Sequence, residues 1–522
     1  MSRKIISLAL LLAGIGVLLA ILWSPATTLS RYSLGTAEFD AITEGRNPTD
    51  EELITAIRFD DYALSFDAPG GRWFYSLMEN SPTATDPTVA VTTAGSGISF
   101  AFENIPITDK LIHSNASIRL IAYTDSTYRE YSLVCTTLPI LELRFPEPIG
   151  IEGTEVQVRL FDNRSGSLSR VTTSRADAHI RGNLSTWYPK KGYKLSLTTD
   201  SLGNNLRNND VSLLGMRQEN DWILNAAYND QDRVRQIFSA ALWADGCGTN
   251  NLWGVENSND YAYVELFCND EYWGLYLFGY PIDRPQLGIN SPGEYLYKKV
   301  SYDIPSAEDF AAGPEIPGYA FGGSSSLGPN DPTGTADWAA LANYYAALNR
   351  SDFSAMDLDN LIDTYLFTLM IQGVDNCGKN YYISAKNLNG DTAYLITPWD
   401  FDLSWGNTYD ESDPNFTVCT VGPEVNLTFE PFAPLLECDF ASLVPRILAR
   451  YQQLRSGPWS DEAMDALLDG YENAIFQSGA YARDTGRWPD STQTNQEDLS
   501  NFRAMVKARM ACMDEYVRSY FG

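Results

Sequence analysis

The stretch IQGVDNCGKNYYISAKNLNGDTAYLITPWDFDLSWG, residues 371 to 406, sets three aspartates, Asp375, Asp400 and Asp402, in polar turns between runs that read as buried strands. Just ahead of it, Leu358, Leu361, Ile362, Tyr365, Leu366, Leu369 and Met370 recur at helical spacing, which predicts a helix over about 357 to 372 with one apolar face. Within the stretch, NYYISAKN and TAYLITPW flank the turn LNGD and predict a β-hairpin. The order is therefore a helix, a polar loop carrying Asp-x-x-x-x-Asn from Asp375 to Asn380, a hairpin, and then Asp400.

Protein kinases place a catalytic loop and a metal-binding aspartate in this order, with the same step from Asp to Asn. Phosphoryl transfer needs a carboxylate to orient the attacking hydroxyl and take its proton. It also needs oxygen ligands to hold magnesium against the phosphates. Asp and Asn populate turns everywhere, so the Asp-x-x-x-x-Asn spacing alone says little, and the order of elements carries the argument.

Upstream, residues 177 to 200 read as strand, polar loop, strand. Tyr193, Leu195 and Leu197 alternate with Lys194, Ser196 and Thr198, placing Lys194 on the face opposite the apolar set. The run NDQDRVRQIFSAALWADG predicts a helix capped by Asn229 or Asp230, with Val234, Ile237, Phe238, Ala241 and Leu242 as its stripe and Gly246 as its stop. YAYVELFCNDEYWGLYLFGY reads as a hairpin around Asn269 and Asp270, and 301 to 335 is dense enough in Gly, Pro and Ser to predict an inserted loop. From about 440, FASLVPRILARYQQLR and SNFRAMVKARMACMDEYVRSYF predict packing helices.

The chain has 522 residues, 44% hydrophobic, enough for more than one domain. Its net charge of -30, from 37 basic and 67 acidic residues, excludes a nucleic-acid binder as the expected class. Residues 5 to 23 are uncharged and apolar, long enough to cross a bilayer, and follow Arg3 and Lys4. Read as a signal anchor or a signal peptide within 1 to 28, they place the body outside the cytoplasm, anchored or secreted. Short alternating segments over 29 to 144 predict a small β-sandwich accessory module. Neither a disulfide framework nor a zinc site can be read from the seven scattered cysteines, and His113 and His179 are too far apart to suggest a metal site.

Five motifs, RGNLSTWYPKKGYKLSL (181 to 197), DWILNAAYNDQDRVRQ (221 to 236), NDEYWGLYLFGYPID (269 to 283), DNCGKNYY (375 to 382) and PWDFDLSWG (398 to 406), together resemble the CotH kinase family. The resemblance implies an α+β, atypical protein-kinase-like two-lobed domain over 145 to 522. Asp375 would be the catalytic aspartate. Asn380 and Asp400 would bind Mg2+ with ATP, and Asp402 would be a further metal ligand or a structural turn residue. Arg181 and Lys194 are candidates for the ATP phosphates, Lys194 having a solvated strand face as its plainer reading. Arg235 would pair with a cleft carboxylate or serve structure. Tyr280 stands where relatives often carry Glu.

The expected function is ATP- and magnesium-dependent phosphoryl transfer to a hydroxyl, with Ser or Thr of an exported or surface protein as acceptor. The alternatives are a non-catalytic kinase-like scaffold or polysaccharide-binding protein, for which the many Trp and Tyr would suit a cell-surface polysaccharide, and more remotely a glycosidase with paired carboxylates.

Overall fold

The computed structural model describes residues 27–79, 85–199, 207–312, 315–321, 337–408, 417–420, 434, 440–491 and 496–522. The apolar segment 5 to 23, expected to cross or enter a membrane, lies outside these residues. Among the described residues no helix is long and apolar enough to cross a membrane.

The chain divides into two compact units, one running to Thr137 with Asp270–Tyr272 and the other comprising Leu138–Asn269 and Trp273–Gly522. In the first, Ser99–Glu103, Ser117–Tyr123, Thr127–Thr136 and Arg72–Ser76 form the middle of one sheet, and Tyr62–Ala63, Ile54–Phe59 and Val89–Thr93 form another. Ile57, Phe59 and Val89 of the smaller sheet share a core with Trp73, Phe102, Leu120 and Leu133 of the larger one.

The second unit opens with a closed barrel. Its strands are β1 (Ile140–Arg144), β2 (Thr154–Phe161), β3 (Val171–Arg181), β4 (Gly192–Thr198), β5 (Asp221–Asn225), β6 (Tyr261–Cys268) and β7 (Glu271–Gly279). The order is β1-β2-β3-β4-β5-β7-β6, and β6 closes on β1 in parallel. Closure satisfies both edges that an open sheet would leave unpaired. The period of two decides what lies inside: Val156, Val158 and Leu160, Leu195 and Leu197, and Trp222 and Leu224 fill the barrel. The β6–β7 turn holds Asn269 and Asp270 at φ 50° and 60°, a left-handed pair that suits a tight hairpin.

Outside the barrel, α1 (Arg235–Gly246) and α2 (Leu358–Ile371) pack with β8 (Tyr295–Lys299), β9 (Tyr319–Phe321) and the hairpin β10 (Tyr381–Leu388) and β11 (Asp391–Pro398). The helices α3 (Phe440–Arg455), α4 (Ala480–Arg487) and α5 (Ser500–Phe521) complete this core. Two expectations are corrected here. Helix α2 is not apolar on one face only, because every residue from Asn360 to Ile371 is buried and the helix runs through the core. The stretch 301 to 335 is not a plain loop, since Ala307–Ala312 is helical and β9 pairs with β8. Residues 313–314 and 322–335 of that stretch lie outside the described residues.

Of the two capping candidates at the start of α1, the structure uses Asp230. No side chain caps it from Val234, but its first backbone N–H, on Arg235, donates to Asp230 Oδ2 at 2.7 Å, so the aspartate caps from further upstream. Among the described residues one disulfide is present, joining Cys419 to Cys512 on α5.

Candidate active site

Helix α2 begins where the Asp357 carboxylate accepts from Asn360 N at 3.2 Å, and it ends at Gln372, whose φ of 55° turns the chain out of the helix. The Asp375 turn follows at once. Its carbonyl accepts from Gly378 N at 3.0 Å and Lys379 N at 2.8 Å, and the Asn376 side chain donates to Asn380 O at 3.1 Å and Trp399 O at 2.9 Å. Asn376 thereby clips the turn to the end of β11.

Asp400 then sits at φ 61°, a conformation costly for a residue other than Gly or Asn and held by its surroundings. Gln236 of α1 accepts from Phe401 N at 2.7 Å, Arg235 donates to Ser404 O at 3.1 Å, and Trp405 N donates to Ile371 O at 2.7 Å. Helix α1 therefore fixes the loop that bears the aspartates. Arg235, paired with Asp230 and with Asp232 at 2.6 Å, serves this structural purpose and not a cleft carboxylate.

These elements and the barrel rim border a cleft of about 410 Å3, lined among others by Arg181, Asp375, Asn380, Asp400 and Asp402. Five of the six residues picked from sequence thus converge. Lys194 does not. Its neighbours Tyr193 and Leu195 face the barrel core, so its ammonium points outward and pairs with Asp221 at 2.9 Å. The cleft's lysine from that motif is Lys190, and it is fully engaged: it donates to Leu275 O at 2.6 Å and to Asp484 of α4 at 2.7 Å, while Asp484 also holds Arg233 at 3.0 Å.

Charge is arranged unevenly. Asp375 accepts from Tyr302 Oη at 2.7 Å through Oδ1, and from Lys379 at 3.0 Å and Asn380 at 3.3 Å through Oδ2. Asp402 accepts from Asn229 at 2.7 Å, yet burial first and then the Asp400 and Asp375 charges push its carboxyl up to about 7. The Asp400 carboxylate has no ion pair or hydrogen bond among the described residues, and neither has the Arg181 guanidinium. Arg181 lies 5.7 Å from the Trp399 ring centre.

Lys298 on β8 is a further cation with no hydrogen bond or close ion pair among the described residues, 5.7 Å from the Trp399 and Tyr382 rings and within the field of Asp400. Burial, then Arg181, pushes its ammonium down to about 8. Sequence reasoning missed Lys298, Tyr302, Lys190 and Asn229. The alternation of β8, which leaves Lys298 half-buried between buried Tyr297 and Lys299, was the one local signal for the first.

Unpaired charges of both signs facing one cleft suit a ligand that is itself a cation on a polyanion. The donor set fits magnesium: Asp400 and Asp402 present carboxylate oxygens with no ion pair within salt-bridge distance among the described residues, and Asn380 adds an amide oxygen. Among the described residues no group of three or more His, Cys, Asp or Glu forms a metal cage. Magnesium commonly takes one or two carboxylates and draws its remaining ligands from phosphates and water. At the place of Tyr280, Arg217 lies 4.6 Å from the buried ring and bridges Glu219 at 2.7 Å and Asp283 at 3.1 Å, so an ion cluster holds the connection that leaves β7.

A family model described as CotH kinase protein matches residues 178–513, which takes in every residue placed in the cleft. A search of curated proteins finds no match.

Proposed function

The chain belongs to the CotH kinase family, and on that premise we propose that its cleft transfers a phosphoryl group from ATP to a hydroxyl, with Ser or Thr of an exported or surface protein as acceptor. The barrel and the helical part of the second unit act as the two lobes of a kinase-like domain. The observation that carries this reading is the presence in one cleft of a carboxylate, Asp400, and a cation, Arg181, neither of which has a hydrogen bond or ion pair among the described residues.

Asp400, Asp402 and Asn380 hold magnesium, which when bound offsets the charge of the phosphates. Arg181 and Lys298 meet phosphate oxygens, for which a cation with free donors is needed. Asp375 orients the acceptor hydroxyl and receives its proton, while Lys379 beside it keeps the carboxylate in place. The Cys419–Cys512 disulfide supports an oxidising, extracytoplasmic setting for the body.

Calorimetric titration of the purified chain with ATP, with and without magnesium, followed by phosphate transfer to exported proteins, tests this. Binding that requires magnesium, together with transfer, is the expected result. A chain that binds no nucleotide in either condition is a kinase-like scaffold instead.

A further inference from the structure

Tyr302 reaches Asp375 from outside the turn that bears it. Its hydroxyl donates to Asp375 Oδ1 at 2.7 Å and reaches Val374 O at 3.3 Å. The turn's own donors, Lys379 and Asn380, both take Oδ2. On Oδ1 a hydroxyl already sits at the distance expected for O–H donating to a carboxylate.

We propose that Tyr302 occupies the acceptor's place on Asp375 and that an incoming acceptor hydroxyl must displace it. The inference rests on the phosphotransfer reading, and three observations carry it further. The phenol offers the same donor chemistry as a serine or threonine hydroxyl. Its segment, between β8 and Ala307, has no helix or strand of its own, so the side chain can leave without breaking a ladder. Val300, two residues away, lines the cleft, which puts the segment beside the acceptor's route. Departure also exposes the Lys379 ammonium, which lies 5.3 Å from the Tyr302 ring centre. The residue therefore raises the concentration at which a serine or threonine acceptor engages Asp375, by about the strength of the hydrogen bond it must replace.

The test compares the parent chain with Tyr302→Phe, which keeps the ring and deletes the donor. Release of inorganic phosphate from magnesium ATP, with water as acceptor, and transfer to a mixed serine and threonine peptide set are measured alongside nucleotide affinity. Loss of one charge-assisted hydrogen bond should lower the acceptor KM by about tenfold, with kcat unchanged or higher. Amide exchange over 300–304 in the nucleotide-free chain should rise in Tyr302→Phe and in Asp375→Asn alike. A tenfold fall in kcat with KM unchanged makes Tyr302 a positioning residue for Asp375 and overturns the proposal. Amide exchange over 300–304 unchanged in both variants overturns it as well. If the parent, Tyr302→Phe and Asp375→Asn all lack transfer and hydrolysis while exchange rises as expected, the phosphotransfer reading is what fails.

Discussion

A carboxylate with donors on both oxygens and one with none behave differently, and Asp375 and Asp400 stand at these two extremes. Asp400→Asn replaces a charged oxygen ligand by a neutral amide and should weaken magnesium-dependent ATP binding, whereas Asp375→Asn should preserve binding and lower transfer by about a hundredfold. Calorimetry and transfer assays on both variants check this; equal loss of binding in the two would contradict the division of roles. Lys298→Met should raise the Kd for magnesium ATP by about tenfold and leave adenosine affinity within about twofold, since only the phosphates lose a partner. Lys194→Met, which removes a cation paired outside the cleft, should change neither. Glu219 provides a pH dependence. Burial first, then the neighbouring Asp283, pushes its carboxyl up to about 7, above an unfolded value of about 4.3. The fold therefore favours the protonated form, and the stability this contributes is complete below the unfolded pKa and lost as pH rises through about 7. Glu219→Gln should flatten the fall in Tm between about pH 5 and about pH 8; an unchanged slope would assign the pH dependence elsewhere.

At the level of elements, the end of α2 is held by α5. Arg509, fully buried, donates to Leu369 O and Met370 O of α2, and to Val418 O at 2.9 Å and Thr420 O at 3.0 Å. Gln372 donates to Thr417 O at 2.7 Å, and the disulfide ties Cys419 to α5 one turn from Arg509. Gln372 directly and Arg509 as a bridge thus fasten 417–420 to the helix that delivers Asp375, while the disulfide fastens it to α5. Reducing the disulfide, whose cysteines are 93 residues apart, should cost on the order of 4 kcal/mol of stability. It should also raise amide exchange at Gly378 and Lys379, read by mass spectrometry with and without a dithiol. Exchange confined to 417–420 would show that the brace does not reach the Asp375 turn. None of this was legible beforehand, because cysteine spacing does not give pairing and a buried arginine that serves only carbonyls has no sequence signature. Helix α2 and the β10–β11 hairpin were legible, because periodicities of 3.6 and 2 and an Asn-Gly turn are local properties. Lys194 misled for an instructive reason: its alternation with buried Tyr193 and Leu195 was read correctly, but closure of the barrel makes the opposite face the outside and not the cleft.

Across the whole molecule, the two units keep separate apolar cores, one around Phe102 and Leu120 and the others around the barrel and α2. Expressed alone, Leu138–Gly522 should therefore bind magnesium ATP within about threefold of the complete chain, measured by calorimetry. A well-folded fragment with affinity lost more than tenfold would show that the first unit takes part in the site. What the sequence could not convey at this scale is how far apart the contributors lie: Lys190 meets Asp484, and Phe401 meets Gln236, through contacts that only the closed fold creates. The brace from α5 has a further consequence for biogenesis. Because ribosomes build from the amino end, Asp375 and Asp400 emerge well before Arg509 and Cys512. A nascent polypeptide thus carries Asp375 and Asp400 before the helix that braces them exists, so the cleft takes its final form only when α5 docks and Cys419 joins Cys512.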